Sequence, residues 1–277
     1  MKRFAAITAL LLCALLMRAS GPRQDSVNRA VFDRVASALE GCAKLPAGEL
    51  VSAVAMQLLG TPYEAGTLET VPEELKVCLD RTDCILFAET CLCMAQTLRS
   101  EAPVYEAFVE NVRRMRYRDG RVDGYPSRLH YTSDWIRQNT ARGILDEYTC
   151  RYGTPFKQRF NFMSTHTSAY RQLREDPAAV SAIRQAELSL EREGGYCVVS
   201  QQRLRSGGID LREGDLVFFV SKTGGLDISH VGILHMVGRE WHFIHASSKA
   251  GKVIVEKRTL ADYADSGVRL ARVLNDF

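Results

Sequence analysis

The sequence predicts an α+β protein, with helices first and an antiparallel sheet later. Two observations carry this. Before residue 117, and again over 161–193, apolar residues recur every three or four positions, the period of a helix face. From Tyr196 onward, short β-branched and aromatic runs alternate with turn residues, and connections this short favour antiparallel pairing. At 277 residues, with 46% hydrophobic and 25% charged, the chain can bury a sizeable core of ordinary globular composition.

Val27, Val31, Val35, Ala38 and Leu39 mark an amphipathic helix from Asp25 to about Ala43. A second helix, Leu50 to Leu59, is stopped by Gly60-Thr61-Pro62. The segment from Gly60 to Glu69 is a loop with turn formers at both ends, and its Tyr63 is either a packed ring or an active-site hydroxyl. Arg81-Thr82-Asp83 then runs into a helix starting near Cys84 and continuing through Leu92, Met94, Ala95 and Leu98. Pro103 to Arg116 is the next helix.

Residues 114–160 are expected to form an inserted recognition subdomain of short strands and loops, broken at Gly124-Tyr125-Pro126 and Gly153-Thr154-Pro155. Within it, Ser127 to Trp135 gathers groups suited to a polar ligand, or forms a hydrogen-bonded loop around a buried tryptophan. Residues 161–193 are helical with a break at Asp176-Pro177, and His166 there is given a structural role. The strands follow at Leu216–Val220, Ser229–Leu234, Trp241–Ala246, Val253–Val255 and Val268–Leu270. A sheet of about five to six strands is expected.

Residues 1–21 have the pattern of a secretory signal: Lys2-Arg3, an apolar run from Phe4 to Met17, then Ala19-Ser20-Gly21. The run is short for a membrane span, so the mature chain, 22–277, is expected to be exported, periplasmic or extracellular, and unanchored. Without Lys2, Arg3 and Arg18 the 36 basic residues fall to 33, equal to the 33 acidic ones, so no nucleic-acid surface is implied. The expected state is a monomer. Of the eight cysteines, Cys13 lies in the leader, and the odd number remaining leaves at least one free thiol, for which Cys84 is the candidate. The pairing of the others does not follow from the sequence.

Cys84 carries the chemistry because a helix start offers unpaired N–H groups and the positive end of the dipole. Both favour a thiolate, and the same donors can hold an oxyanion. Such a sulfur needs a histidine as base. Antiparallel pairing across the Gly238 turn places His230 directly opposite His245, so that His230 could take the thiol proton and His245 orient it. His235 and His242 fall nearer the turn and are expected at the surface. A cysteine with two histidines can also bind zinc, but no CxxC or HxxxH pair is present. Neither a metal nor a cofactor is expected.

The Gly-x-Pro-Tyr loop, the Asp83-Cys84 helix start, His230-Val231-Gly232-Ile233 and Phe243-Ile244-His245-Ala246 together resemble the NlpC/p60 superfamily of cell-wall cysteine peptidases. Gly60–Glu69, Ser127–Ile136 and Gly225–Gly232 resemble one branch, the N-acetylmuramoyl-L-alanine amidase-like family, domain of unknown function 1460, over roughly residues 50–275. The resemblance implies a papain-like core with Cys84 as nucleophile, His230 as base, His245 as orienting group and Tyr63 as a hydroxyl near the sulfur. Thr82, Asp83, His130, Asp134, Trp135, Asp227, Ser229 and Ser247 are the candidate substrate-binding residues, with His130, Asp134 and Trp135 as a wall for sugar or stem peptide, and Asp83 expected to support the turn by capping or a salt bridge rather than to react. The implied substrates are peptidoglycan fragments (muropeptides), cut between N-acetylmuramic acid, in its 1,6-anhydro form, and L-alanine. Ile85-Leu86 stand where many superfamily endopeptidases carry Ser-Gly, a departure from the D-glutamyl–diamino-acid endopeptidases. Cleavage within the stem peptide and catalytically idle muropeptide binding are the competing readings.

Overall fold

The computed structural model describes residues 22–275; the expected signal at 1–21 lies outside the described residues. Helices α1 (Pro22–Ala38) and α2 (Ala47–Gln57) lead to α3 (Cys84–Arg99) and α4 (Tyr105–Arg116). In α1 the buried stripe runs through Asn28, Phe32 and Val35, while Val27 faces out. Asn28 Nδ2 donates to the Val77 carbonyl and its Oδ1 accepts from Leu79 N–H, which fixes the extended chain leading to Cys84. Helix α3 is enclosed along most of its length, Leu86 to Ala95 being buried.

Helix α5 (Thr132–Ala141) and strand β1 (Leu145–Glu147) come from the stretch expected as an inserted subdomain. Trp135, Ile136 and Leu145 sit in the same apolar cluster as α3, and β1 pairs with β8 (Val268–Val273), so this stretch is woven into the main core. Beyond it lie β2 (Thr154–Phe156), α6 (Phe162–Thr165), α7 (Pro177–Arg192), β3 (Tyr196–Val198) and α8 (Gln201–Arg205). Helix α7 starts at the predicted break, where Asp176 caps the Ala178 and Ala179 N–H groups. Cys150 and Cys197 form a disulfide that ties β3 to the turn after β1, while Cys42, Cys78, Cys84, Cys91 and Cys93 are free.

Strands β4 (Leu216–Val220), β5 (Ile228–Val237), β6 (Glu240–Ser247) and β7 (Lys252–Val255), with α9 (Leu260–Tyr263) before β8, complete the chain. The main sheet is antiparallel in the order β1-β8-β4-β5-β6-β7, and β2-β3 form a separate two-stranded ribbon. One sheet face, with Leu216, Phe218, Val231, Ile233 and Ile244, packs on α2 and α3. The other carries Val217, Phe219, Leu234, Phe243, Val268 and Leu270 beneath α9. The architecture is the predicted α+β.

Candidate active site

The site begins at the cap of α3. Asp83 Oδ1 accepts from the N–H groups of Ile85 at 3.1 Å and Leu86 at 2.9 Å, starting the helix at Cys84. Two first-turn donors are therefore taken by the cap, so the helix end as a whole is not the oxyanion site the sequence suggested. Burial pushes the Cys84 thiol up to about 12, reinforced by the Asp83 carboxylate; N–H groups of Val231, Ile85 and Cys84 oppose this and lose. The resting sulfur is a neutral thiol, contrary to the thiolate expected from the helix dipole.

Strand register explains why Val231 can face the sulfur. Strands β5 and β6 pair from Val237↔Glu240 up to Ile233↔Ile244 and then part. Beyond that point β6 pairs only with β7, through His245↔Ile254 and Ser247↔Lys252. The start of β5 is thus released toward α3. A bulge at Ser229, between the pairs Phe219↔His230 and Val220↔Ile228, re-aims the strand there. A Cβ on Gly232 would stand 2.5 Å from the Phe243 ring, so only glycine fits beside it.

This register corrects the expected pairing of the two histidines. The observed partners sum to 477, which puts His245 level with Gly232 and two residues from His230. The rings meet on the diagonal, perpendicular at 4.8 Å, with His230 Nε2 and His245 Nδ1 2.5 Å apart. His245 is 2% exposed. Its Nε2 lies 3.5 Å from Glu256 Oε2 and makes no hydrogen bond. Burial lowers His230 to about 3 and His245 to about 4, so both imidazoles are neutral near pH 7. His242, expected at the surface, is buried and bonds the Glu256 carbonyl; His235 is half-buried against Glu213.

Tyr63 is held by its backbone. Its N–H donates to Gly251 O, and it bridges to Thr82, whose N–H donates to Pro62 O and whose carbonyl accepts from Glu64 N–H. The phenol is raised above its usual range, chiefly by burial, so it remains a donor. Tyr263 was not foreseen. Its ring stacks on His230 at 6.3 Å and lies 6.0 Å from His245. A tyrosine in a four-residue helix far along the chain gave no local signal.

A cavity of about 200 Å³ opens beside the cap, lined by residues including Glu69, Asp83, Glu89, Arg116, His130 and Trp135. Its floor is the buried Glu89–Arg116 pair at 2.8 Å, with Trp135 Nε1 donating to Glu89 at 3.1 Å. His130 Nε2 contacts the Tyr125 carbonyl at 2.8 Å, and burial lowers it to about 3. The other proposed binding residues lie elsewhere. Asp134 is buried between Arg118 and Arg137; Asp227 caps α5 by accepting from Ser133 N–H. Ser229 donates to Phe219 O, and Ser247 accepts from Ala250 N–H. Among the described residues no cluster of three or more His, Cys, Asp or Glu side chains is placed to hold a metal ion.

A thiol at a capped helix start, facing the N–H of Val231 next to one of two paired neutral histidines, has groups of the kind a thiol hydrolase uses. The chain belongs to the N-acetylmuramoyl-L-alanine amidase-like family, whose model matches residues 53–268. It is similar to an N-acetylmuramoyl-L-alanine amidase from Bacteroides uniformis, with 32% identity, a TM-score of 0.77, and 82% of this chain and 99% of that one covered. A Bacteroides fragilis protein, provisionally described as a xylanase, is 36% identical at a TM-score of 0.73, covering 79% and 99%. A Legionella pneumophila protein of domain of unknown function 1460 is 20% identical at 0.66, covering 92% and 97%, which shows the fold alone. No curated protein matches the chain.

Proposed function

We propose that this protein is an N-acetylmuramoyl-L-alanine amidase that cuts muropeptides, in their 1,6-anhydro form, through a Cys84 acyl-enzyme of the NlpC/p60 type. The observation that carries the reading is the diagonal His230–His245 pair, one residue along β5 from the Val231 N–H that faces Cys84, in a chain of the amidase-like family. His230 Nε2 is engaged by His245, which leaves Nδ1 to take the thiol proton as the sulfur attacks the lactyl carbonyl. The Cys84 N–H and the Tyr63 hydroxyl stabilise the tetrahedral oxyanion, since Asp83 occupies the next two N–H groups. Protonated His230 returns the proton to the L-alanyl amine, and a water activated by the same nitrogen releases the acyl group.

The cavity beside Asp83 is the proposed recognition wall for sugar or stem peptide, through His130 and Trp135. Thr82, Asp134, Asp227, Ser229 and Ser247 serve it indirectly, by holding the loop, helix and strand ends that frame it. A glycosidase reading finds less support, because a carboxylate pair must be free for acid and base work. Asp83 is committed to its cap, Glu89 to Arg116 and Glu69 to Arg128. The disulfide and the leader pattern support export to an oxidising compartment. The test is to incubate the purified protein with anhydromuramyl tripeptide and identify the products by mass spectrometry. Free anhydromuramic sugar with intact tripeptide is expected. Release of L-Ala-D-Glu, or of the sugar still carrying it, would move the activity to an endopeptidase; binding without cleavage would favour an idle receptor.

A further inference from the structure

We propose that Glu256 is the terminal member of a Cys84–His230–His245–Glu256 relay and acts as a positioning residue that fixes the tautomers of both histidines. The inference rests on the proposed thiol chemistry of Cys84. It starts from the buried end of the histidine pair. His245 Nδ1 is 2.5 Å from His230 Nε2, while His245 Nε2 makes no hydrogen bond and faces Glu256 Oε2 across 3.5 Å. Glu256 is the residue immediately after β7, and its backbone is pinned to the neighbouring strand. Its N–H donates to Phe243 O at 2.9 Å, and its carbonyl meets His242 Nδ1 at 3.0 Å. Its other oxygen, Oε1, accepts from Arg258 N–H at 3.1 Å and Nε–H at 3.4 Å, leaving Oε2 turned to the imidazole. Arg258 lies 4.2 Å from the centre of the Tyr263 ring, which packs against both imidazoles.

The direction of the hydrogen bonds follows from these partners. A carboxylate only accepts, so His245 carries its proton on Nε2 and presents Nδ1 as an acceptor. His230 must then donate from Nε2, which leaves its Nδ1 lone pair free for the Cys84 proton. When that proton moves, the S–H bond breaks and an N–H bond forms on His230. The new imidazolium stays bonded to His245, whose Nε2–H is directed at Glu256. No proton leaves the chain of residues, and the carboxylate charge stands two rings from the sulfur. Without an acceptor at Nε2, either tautomer of His245 is allowed, and one of them leaves His230 protonated on the nitrogen that should act as base.

Glu256→Gln tests this, because an amide can donate to Nε2 and favour the reverse tautomers. The expected result is a fall in kcat of between about 10- and 10³-fold, smaller than that of a carboxylate bonded directly to the catalytic histidine. KM should stay within about twofold, since no substrate contact is lost. Glu256→Asp should recover part of the rate. Iodoacetamide alkylation of Cys84 gives a readout that needs no substrate: in Glu256→Gln its rate below pH 9 should drop and its profile move to higher pH. Wild-type kcat and an unchanged alkylation profile in Glu256→Gln would overturn the relay. Loss of hydrolysis in the wild type with a shifted alkylation profile in the variant would instead overturn the amidase reading and keep the relay. Nitrogen NMR of the wild type settles the case where the variant does not fold. Protons on Nε2 of both His230 and His245 are expected, and a proton on Nδ1 of His245 would contradict the assignment.

Discussion

At the residue scale the decisive quantity is the protonation state of Cys84 and His230. With the thiol raised to about 12 and the imidazole lowered to about 3, the resting pair is uncharged across the whole neutral range. Proton transfer then belongs to the attack on substrate, where it is driven by the oxyanion donors. The acid limb of kcat/KM should therefore lie below pH 5, because only protonation of His230 or His245 removes the base. A limb at the ordinary histidine value near pH 6.5 would show a solvated pair instead. Tyr63→Phe removes one oxyanion donor and should cost ~3 kcal/mol in the barrier, roughly 10²-fold in kcat. Turnover equal to wild type in that variant would return Tyr63 to a packing role.

At the element scale the site depends on one helix cap and one parted strand pair. Asp83 both starts α3 and raises the thiol, so Asp83→Ala should have two opposed effects. Thermal or chemical denaturation should show a loss of about 1 kcal/mol, the usual worth of an N-cap. Cys84 should alkylate faster at neutral pH because the neighbouring negative charge is gone; a slower rate would contradict the role given to the carboxylate. The helix start at Cys84 was legible because a polar turn precedes a strongly periodic apolar run. The strands of the sheet were legible from their turns. The register was not, since the two-residue offset between His230 and His245 depends on where β5 and β6 part and on the Ser229 bulge. Neither feature has a local sequence signature. Helix α5 was missed for a similar reason: its cap is Asp227, 94 residues further along the chain.

At the scale of the whole molecule, segments distant in sequence hold one another in place. The Cys150–Cys197 bond spans 47 residues, and closing a loop of that size stabilises by roughly 4 kcal/mol in the chain-entropy view. Cys150→Ser should lower the unfolding midpoint while leaving Cys84 alkylation unchanged in the folded range; a change in that rate would tie the disulfide to the site. Buried neutral histidines add a pH dependence. His130 is neutral in the fold down to about 3, while its unfolded counterpart protonates below about 6.5. The unfolded state thus binds more protons between these values, so its contribution is complete above pH 6.5 and is lost as pH falls. Between pH 6 and 4 the wild type should lose about 1.4 kcal/mol per pH unit more than His130→Gln. Composition and motif order made the overall class readable, but the carboxylates and arginines framing the cavity were not. Glu89, Arg116 and Arg128 carry no local sign of burial, and only the fold encloses them.

The proposed chemistry depends on one sulfur atom, that of Cys84. The most direct test is turnover of anhydromuramyl tripeptide by Cys84→Ala beside the wild type, with unfolding curves showing that both are folded. Hydrolysis by the wild type and none by the variant is expected. A folded Cys84→Ala that retains wild-type hydrolysis would contradict it, and would place the nucleophile elsewhere.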